Sequence, residues 1–183
     1  MKKIFTIICL FVAFTSANAQ ENKLSISGGY VFSNIEDTDA DAKGWRINGL
    51  YEFTPNESSL SHGIAFGYMT TNADYISQTE STNYDINTWP IYYAPKFTVG
   101  KGGLKGFVKG ALGTHITTFN RTGALADIKT TDMGFYGGVG LGGSLNIGEK
   151  MFLQAEYEWA YMSNSYYVDG FVNSFNAGLG FKF

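Results

Sequence analysis

Few residues of this chain have the type and spacing to do chemistry. His62 and His115 are its only histidines and Cys9 its only cysteine. A nucleophile–base pair or a His/Cys metal cluster therefore has almost no members to draw on. No motif marks a nucleophile beside either histidine, so no catalytic residue is expected, and His115 is expected as a packed interior side chain. Asp37, Asp39 and Asp41 have the D-x-D-x-D spacing that opens a calcium loop. The sixth position is Ala42 instead of Gly, and the twelfth is Asn48 instead of a bidentate Glu. The EF-hand pattern fails, and a solvated acidic loop is expected. Gly138-Val139-Gly140-Leu141-Gly142-Gly143 is as glycine-rich as a phosphate loop, but no helix follows to supply the amide cradle. No metal site and no cofactor are expected. What remains is a set of opposite charges: Arg46, Glu52, Lys109, Glu156 and Glu158, with Lys96 and Lys182 on similar positions.

The elements that carry these charges alternate with a period of two. Residues 24–33 place Leu24, Ile26, Tyr30 and Phe32 on one face and Ser25, Ser27 and Ser33 on the other. The pattern recurs over 44–54, 62–72, 84–98, 105–118, 133–147, 151–162 and from 171 to the end. Arg46, Glu52, Lys109, Glu156 and Glu158 fall on the polar face each time. Pro90 and Pro95 make the fourth segment less regular; each must sit where no ladder bond is needed, or at a bulge. The connections at 55–61, 99–104 and 148–150 are short. Those at 34–43, 73–83, 119–132 and 163–170 are longer and polar. Eight strands of this length and alternating loops predict an all-β, eight-stranded antiparallel up-and-down transmembrane β-barrel. On that topology His62 lies near one end of the third strand and His115 near the other end of the fifth, too far apart to cooperate.

Composition agrees. The 183 residues include 23 Gly, 15 Phe, 12 Tyr and 3 Trp but only 16% charged residues, with a net charge of −3. No basic patch exists to attract nucleic acid. Residues 1–19 have the order of a secretory signal: Lys2 and Lys3, an apolar run from Ile4 to Phe14, then Ala17-Asn18-Ala19. The expected division is a signal peptide at 1–19 and a barrel domain at 20–183. Cleavage would remove Cys9, leaving no disulfide. No later run approaches the ~20 apolar residues of a membrane helix.

Alternation alone leaves open which face points outward. The polar face is mostly Ser, Thr, Asn and Gly, a poor solvent surface. The apolar face carries Trp45, Trp159 and Tyr161 near strand ends, the pattern of an interfacial aromatic girdle. The apolar face is therefore expected to face lipid. The charged set would then lie in the lumen, as a salt-bridged plug or along a narrow ion path. Eight staves leave a bore that side chains can fill, which favours the plug.

The end of the chain, Asn176-Ala177-Gly178-Leu179-Gly180-Phe181-Lys182-Phe183, resembles the assembly signal of bacterial outer-membrane proteins, carried by Asn176, Gly178, Phe181 and Phe183. With the eight segments it makes the chain similar to the small eight-stranded outer-membrane barrels of the OmpX, OmpW and OmpA transmembrane-domain type. Trp89-Pro90-Ile91-Tyr92-Tyr93 and the stretch from Gly106 to Gly113 also resemble the porin-like barrels of Bacteroidetes-type bacteria. The resemblance implies a monomer in the outer membrane of a Gram-negative cell, in contact with lipid and lipopolysaccharide and inserted by the barrel-assembly machinery. It implies a non-enzymatic surface-interaction or membrane-structural role carried by extracellular loops, with an unknown surface partner. The alternative is a narrow OmpW-like channel or transporter for small molecules, hydrophobic ones among them. An open, greasy outer lumen would favour the transporter; a closed, polar one would favour the surface role.

Overall fold

The computed structural model describes residues 21–36, 38, 40–55, 58–76, 81–123, 127–163 and 165–183. The expected leader, and Asp37 and Asp39 of the acidic loop, lie outside them. The strands are β1 (Glu21–Asn34), β2 (Asp41–Thr54), β3 (Leu60–Ile76), β4 (Ser81–Tyr93), β5 (Lys96–Val99), β6 (Leu104–Gly123), β7 (Ile128–Ile147), β8 (Met151–Met162) and β9 (Phe171–Lys182). Every pairing is antiparallel, and the sheet closes because β1 pairs with both β2 and β9.

Nine strands make eight staves, because β4 and β5 are two parts of one. Tyr93 pairs with Leu112 and Lys96 with Lys109 on one side; Ile64 pairs with Tyr93 and Ser61 with Lys96 on the other. The register is therefore unchanged across the gap, and no residue is inserted. Pro95 has no N–H to give, so the regular ladder lapses there. The Ala94 N–H still donates to Gly63 O at 2.8 Å, and Pro95 O accepts from the Gly110 N–H at 2.7 Å. Of the two ways to seat the proline, the chain uses a lapse in the ladder instead of a bulge.

The pleat sorts the two faces as alternation predicts. Ile26, Phe66, Leu112, Leu141 and Phe175 are all more than half exposed, whereas Ser25, Glu52, Lys109 and Glu158 on the same or neighbouring staves are buried. An apolar belt running round a whole sheet is untenable in water and is the required surface in a bilayer. Aromatics gather at both rims of the belt. At one, Trp45 meets Tyr68 at 5.4 Å and Trp159 stacks on Phe171 at 4.7 Å, with Tyr161 beside the same ring. At the other, Phe53, His62 and Tyr93 stack in sequence and Tyr51 reaches Phe183.

The loops differ from expectation at that first rim. Residues expected as loops at 73–83 and 119–132 are largely strand, since β3 runs to Ile76, β4 starts at Ser81, β6 runs to Gly123 and β7 starts at Ile128. Cross-strand polar pairs hold these extensions: Asn83 donates to Asp74 at 2.8 Å, Asn72 to Asp85, and Thr118 meets Thr131 at 3.2 Å. Above the membrane the outward face turns polar while Ala73, Tyr84, Ile86 and Phe119 are buried inward, so the sense of the alternation reverses while the ladder continues. The staves β3, β4, β6 and β7 thus rise as a wall beyond the shorter hairpins β1–β2 and β8–β9.

Candidate functional site in the barrel lumen

Following single strands upward from the end with the short turns gives the order of the lumen. Along β6 the inward residues run Lys105, Phe107, Lys109, Ala111, Gly113, His115, Thr117 and Phe119. Along β8 they run Phe152, Gln154, Glu156, Glu158, Ala160 and Met162. Three zones result.

The lowest zone ends in an aromatic layer. Phe107 and Phe152 are both buried. Phe152 lies against Gly180, and Phe107 Cζ lies 2.5 Å from where a Cβ on Gly142 would stand. This accounts for part of the glycine-rich run on β7: it admits a lumen aromatic and builds no phosphate loop.

The middle zone is ionic. Arg46 Nη1 donates to Glu158 Oε1 at 2.6 Å and to Ser174 Oγ at 3.2 Å, and Tyr136 OH donates to the same Glu158 oxygen at 2.5 Å. Lys109 Nζ lies 2.6 Å from Glu156 and 2.8 Å from Glu158 Oε2, the latter a charge contact without hydrogen-bond alignment. Glu158 therefore bridges two cations while at most 1% exposed. Glu52 joins a separate pair: it accepts from Lys96 Nζ at 3.0 Å and from Ser61 Oγ at 3.0 Å. Of the five charged residues expected together, the structure gathers Arg46, Lys109, Glu156 and Glu158, and assigns Glu52 to Lys96. Tyr136, and Tyr92 stacked on it at 5.0 Å, are members that alternation placed on the polar face without marking as partners. The space left among Ser27, Asn48, Gln154 and Asn176 is ≈ 10 Å³, room for about one water. Charges in such a place are tolerable only because each is paired.

The upper zone is neither of the two outer lumens expected. His115 is fully buried, with Nδ1 2.8 Å from Thr117 Oγ1 and Nε2 2.8 Å from the carbonyl of Ser163. His62 lies on the outer face against Phe53 and Tyr93, so the two histidines share nothing. Around and above His115 lie Val31, Ile35, Met69, Ile86, Met162 and Val172, all buried. Tyr167, from the connection between β8 and β9, fills this zone at 0% exposure. It pairs with Ile35 as an isolated bridge, and its hydroxyl meets Thr71 Oγ1 at 2.7 Å. Burial raises its pKa, so the hydroxyl stays neutral. Next to it, Tyr166 stacks on Phe119 at 3.9 Å and donates to Asp132 at 2.5 Å. The outer lumen is closed and mostly apolar, with Thr71, Thr88, His115 and Thr117 as buried, paired polar groups.

At the last strand, Asn176 points inward and donates to Ser174 at 3.0 Å, whereas Phe181 and Phe183 are exposed on the belt. A Cβ on Gly178 would stand 2.5 Å from the carbonyl of Ile26 on β1, so glycine permits close approach at the seam. Lys182 points to the lumen, 3.5 Å from Glu21. Among the described residues no group of three metal-ligating side chains occurs.

A family model described as outer membrane protein beta-barrel domain matches residues 5–183. The chain belongs to this outer-membrane β-barrel family. Its place is accordingly the outer membrane, with the short turns, the start of β1 and the end of β9 on the periplasmic side and the wall outside. No curated protein matches the barrel in sequence. Several solved structures do match in shape. Ail, the attachment invasion locus protein of Yersinia pestis, superposes with a TM-score of 0.55 at 19% identity, over 88% of this chain and 99% of that one. Neisserial surface protein A gives 0.59 at 14% identity, over 91% and 100%. A major outer membrane protein from Thermus thermophilus gives 0.62 at 10%, also over 91% and 100%. At these identities the barrel shares a fold with them.

Proposed function

We propose that this is a non-enzymatic, monomeric outer-membrane barrel with a plugged lumen, which meets its partner at the cell surface through the wall of β3, β4, β6 and β7. The observation that carries this reading is the contrast between a bore filled from Phe152 to Tyr167 and a wall left open at its edge. Above Tyr136, where the pairing with β8 stops, β7 continues paired to β6 alone. Among the described residues, the outer edge of Ile128–Asp132 has no strand partner, and the side chains of Ile128–Thr131 are exposed. Such an edge accepts an extended polypeptide as a further strand. Replacing 73–83 and 120–131 by short turns tests the idea on whole cells. The trimmed barrel is expected to insert normally and to lose adhesion or aggregation that the full barrel confers. Unchanged adhesion would remove the wall from the account, and large stable channels in planar bilayers would overturn the plug.

The apolar outer zone supports a second reading, a narrow path for small hydrophobic molecules gated by Tyr167. Uptake of an apolar probe by the intact barrel would favour it over the surface role.

We also propose that Asn176, Gly178, Phe181 and Phe183 are read by the insertion machinery before β9 closes on β1. Deleting Phe183 is expected to leave export intact and reduce insertion, whereas Lys182→Gln is expected to matter much less. Equal losses would sink the assignment.

A further inference from the structure

The periplasmic mouth of the lumen holds charge that neither the plug nor the wall uses. Lys23 on β1 and Lys182 on β9 are direct register partners. Like charges placed opposite one another in a sheet are destabilising. One carboxylate serves both: Glu21 lies 3.2 Å from Lys23 and 3.5 Å from Lys182, and is itself 44% exposed. Across the mouth, Lys105 points into the same recess from β6 and has no carboxylate within ion-pair distance among the described residues. Lys96, deeper in the same recess, is neutralised by Glu52 at 3.0 Å. Three lysines against one glutamate leave two surplus side-chain positive charges facing the periplasm.

We infer that this mouth binds a small multivalent oxyanion of the phosphate class. Two surplus ammonium charges match a dianion. Three lysines supply freely rotating ammonium donors on flexible stems, which can converge on a phosphate group as point charges. Thr98, Ser144 and Asn146 line the same recess and add neutral polar groups. Phe152 closes the recess toward the plug, so an anion enters and leaves by the periplasm only. The free space within the recess is ≈ 20 Å³, less than a phosphate group occupies, so the anion is held at the mouth by the lysine ends and does not pass deeper into the lumen. The head can come free, as inorganic phosphate, or attached, as the headgroup of a phospholipid at the rim.

The test uses the full barrel folded in a neutral, sugar-headed detergent. Inorganic phosphate is titrated at fixed ionic strength and binding is read by calorimetry. A parallel arm uses mixed micelles doped with phosphatidic acid and no free phosphate. Saturable binding is expected in at least one arm, weakened about tenfold in Lys105→Gln because a charge-assisted hydrogen bond is lost. Lys105→Arg is expected to retain most of the affinity, and Lys129→Gln on the outer side all of it. Heat-shifted gel mobility shows that each variant is folded. Binding in the lipid arm alone keeps the site and identifies its source as the headgroup. Absence of saturable binding in both arms overturns the site, as does a folded Lys105→Gln variant with wild-type affinity or equal weakening in Lys129→Gln.

Discussion

The middle and the outer third of the lumen are both closed, but by opposite chemistry. In the middle, Arg46, Lys109, Glu156 and Glu158 come from staves that alternation orients by itself, and each charge is held by a named partner. In the outer third, the closing residues are Ile35 and Tyr167, which lie beyond the named strands and meet as a single bridge. The difference shows which closure belongs to the barrel and which is added to it. Removing a charge from the middle strands another charge in a place without water. Removing the ring from the outer third leaves an apolar cavity near the solvent, under a connection that can relax.

The largest expected effect is therefore in the middle. Glu158→Ala leaves Arg46 without its carboxylate and Lys109 with only Glu156, and is expected to destabilise the barrel by about 3–5 kcal/mol. Urea unfolding in lipid vesicles measures it. A loss below about 1 kcal/mol, the range of an exposed pair, would mean that the network does not hold the staves together.

Tyr167→Ala comes second. Truncating a buried aromatic costs about 3–5 kcal/mol in a rigid core, and less is expected here because the connection can collapse into the space. The damage is expected to stay local. Hydrogen exchange should accelerate at Ile35 and Val172 while the global unfolding midpoint moves less than in Glu158→Ala. An equal shift of the midpoint would erase the distinction between the two closures.

The same contrast separates what is legible in the sequence from what is not. Period two orients every stave, so it alone assigns Arg46, Glu52, Lys109, Glu156 and Glu158 to one face. It does not pair them: whether Glu52 meets Arg46 or Lys96 depends on the tilt of the staves and on closure, which no local pattern encodes. Tyr136 and Tyr92 sit on the polar face, but an aromatic there reads as an exception until the neighbouring cations are seen. Tyr167 is less legible still, because it lies in a connection with no period. The wall escapes notice for a related reason: Asn72, Asp74, Asn83 and Asp85 put polar groups on the outward face, where the belt below is apolar, while Ala73, Tyr84 and Ile86 are buried inward, so the sense of the alternation reverses along the same strands.

A third, smaller effect concerns pH at the outer end. Partial burial, reinforced by the hydrogen bond to Asp132, raises the Tyr166 pKa from 10.0 to about 12. Between those values the unfolded connection releases the proton while the folded one keeps it. The sign is thus fixed: the contribution of Tyr166 to docking is complete below pH 10 and is lost as pH rises toward 12. Tyrosinate absorbance during an alkaline titration, with Tyr166→Phe as the subtraction, reports this. Asp132→Asn is expected to move the titration down, and an unmoved curve would remove Asp132 as a cause.

The smallest effect tests how the connection delivers Tyr167. After it, the chain turns through Val168–Gly170, with the Gly170 N–H donating to Tyr167 O at 2.9 Å. Asp169 and Gly170 both adopt left-handed backbone, with φ of 52° and 73°. A Cβ on Gly170 would stand 2.6 Å from the carbonyl of Met162 and 2.9 Å from the Tyr161 ring, so that position admits only glycine. Asp169 is exposed, and its cost is conformational alone. Asp169→Gly relieves a left-handed penalty and adds unfolded-state entropy, so the two changes nearly cancel, with a net effect within about 1 kcal/mol. Asp169→Val keeps the penalty, loses the short polar side chain, and brings a branch that left-handed backbone rejects. It is expected to be worse than Gly by about 1–2 kcal/mol. Both variants are read by exchange of the Tyr167 and Ile35 amides. If Val protects those amides as well as Gly does, the turn is not what places Tyr167, and its ring is held only by the apolar residues around it.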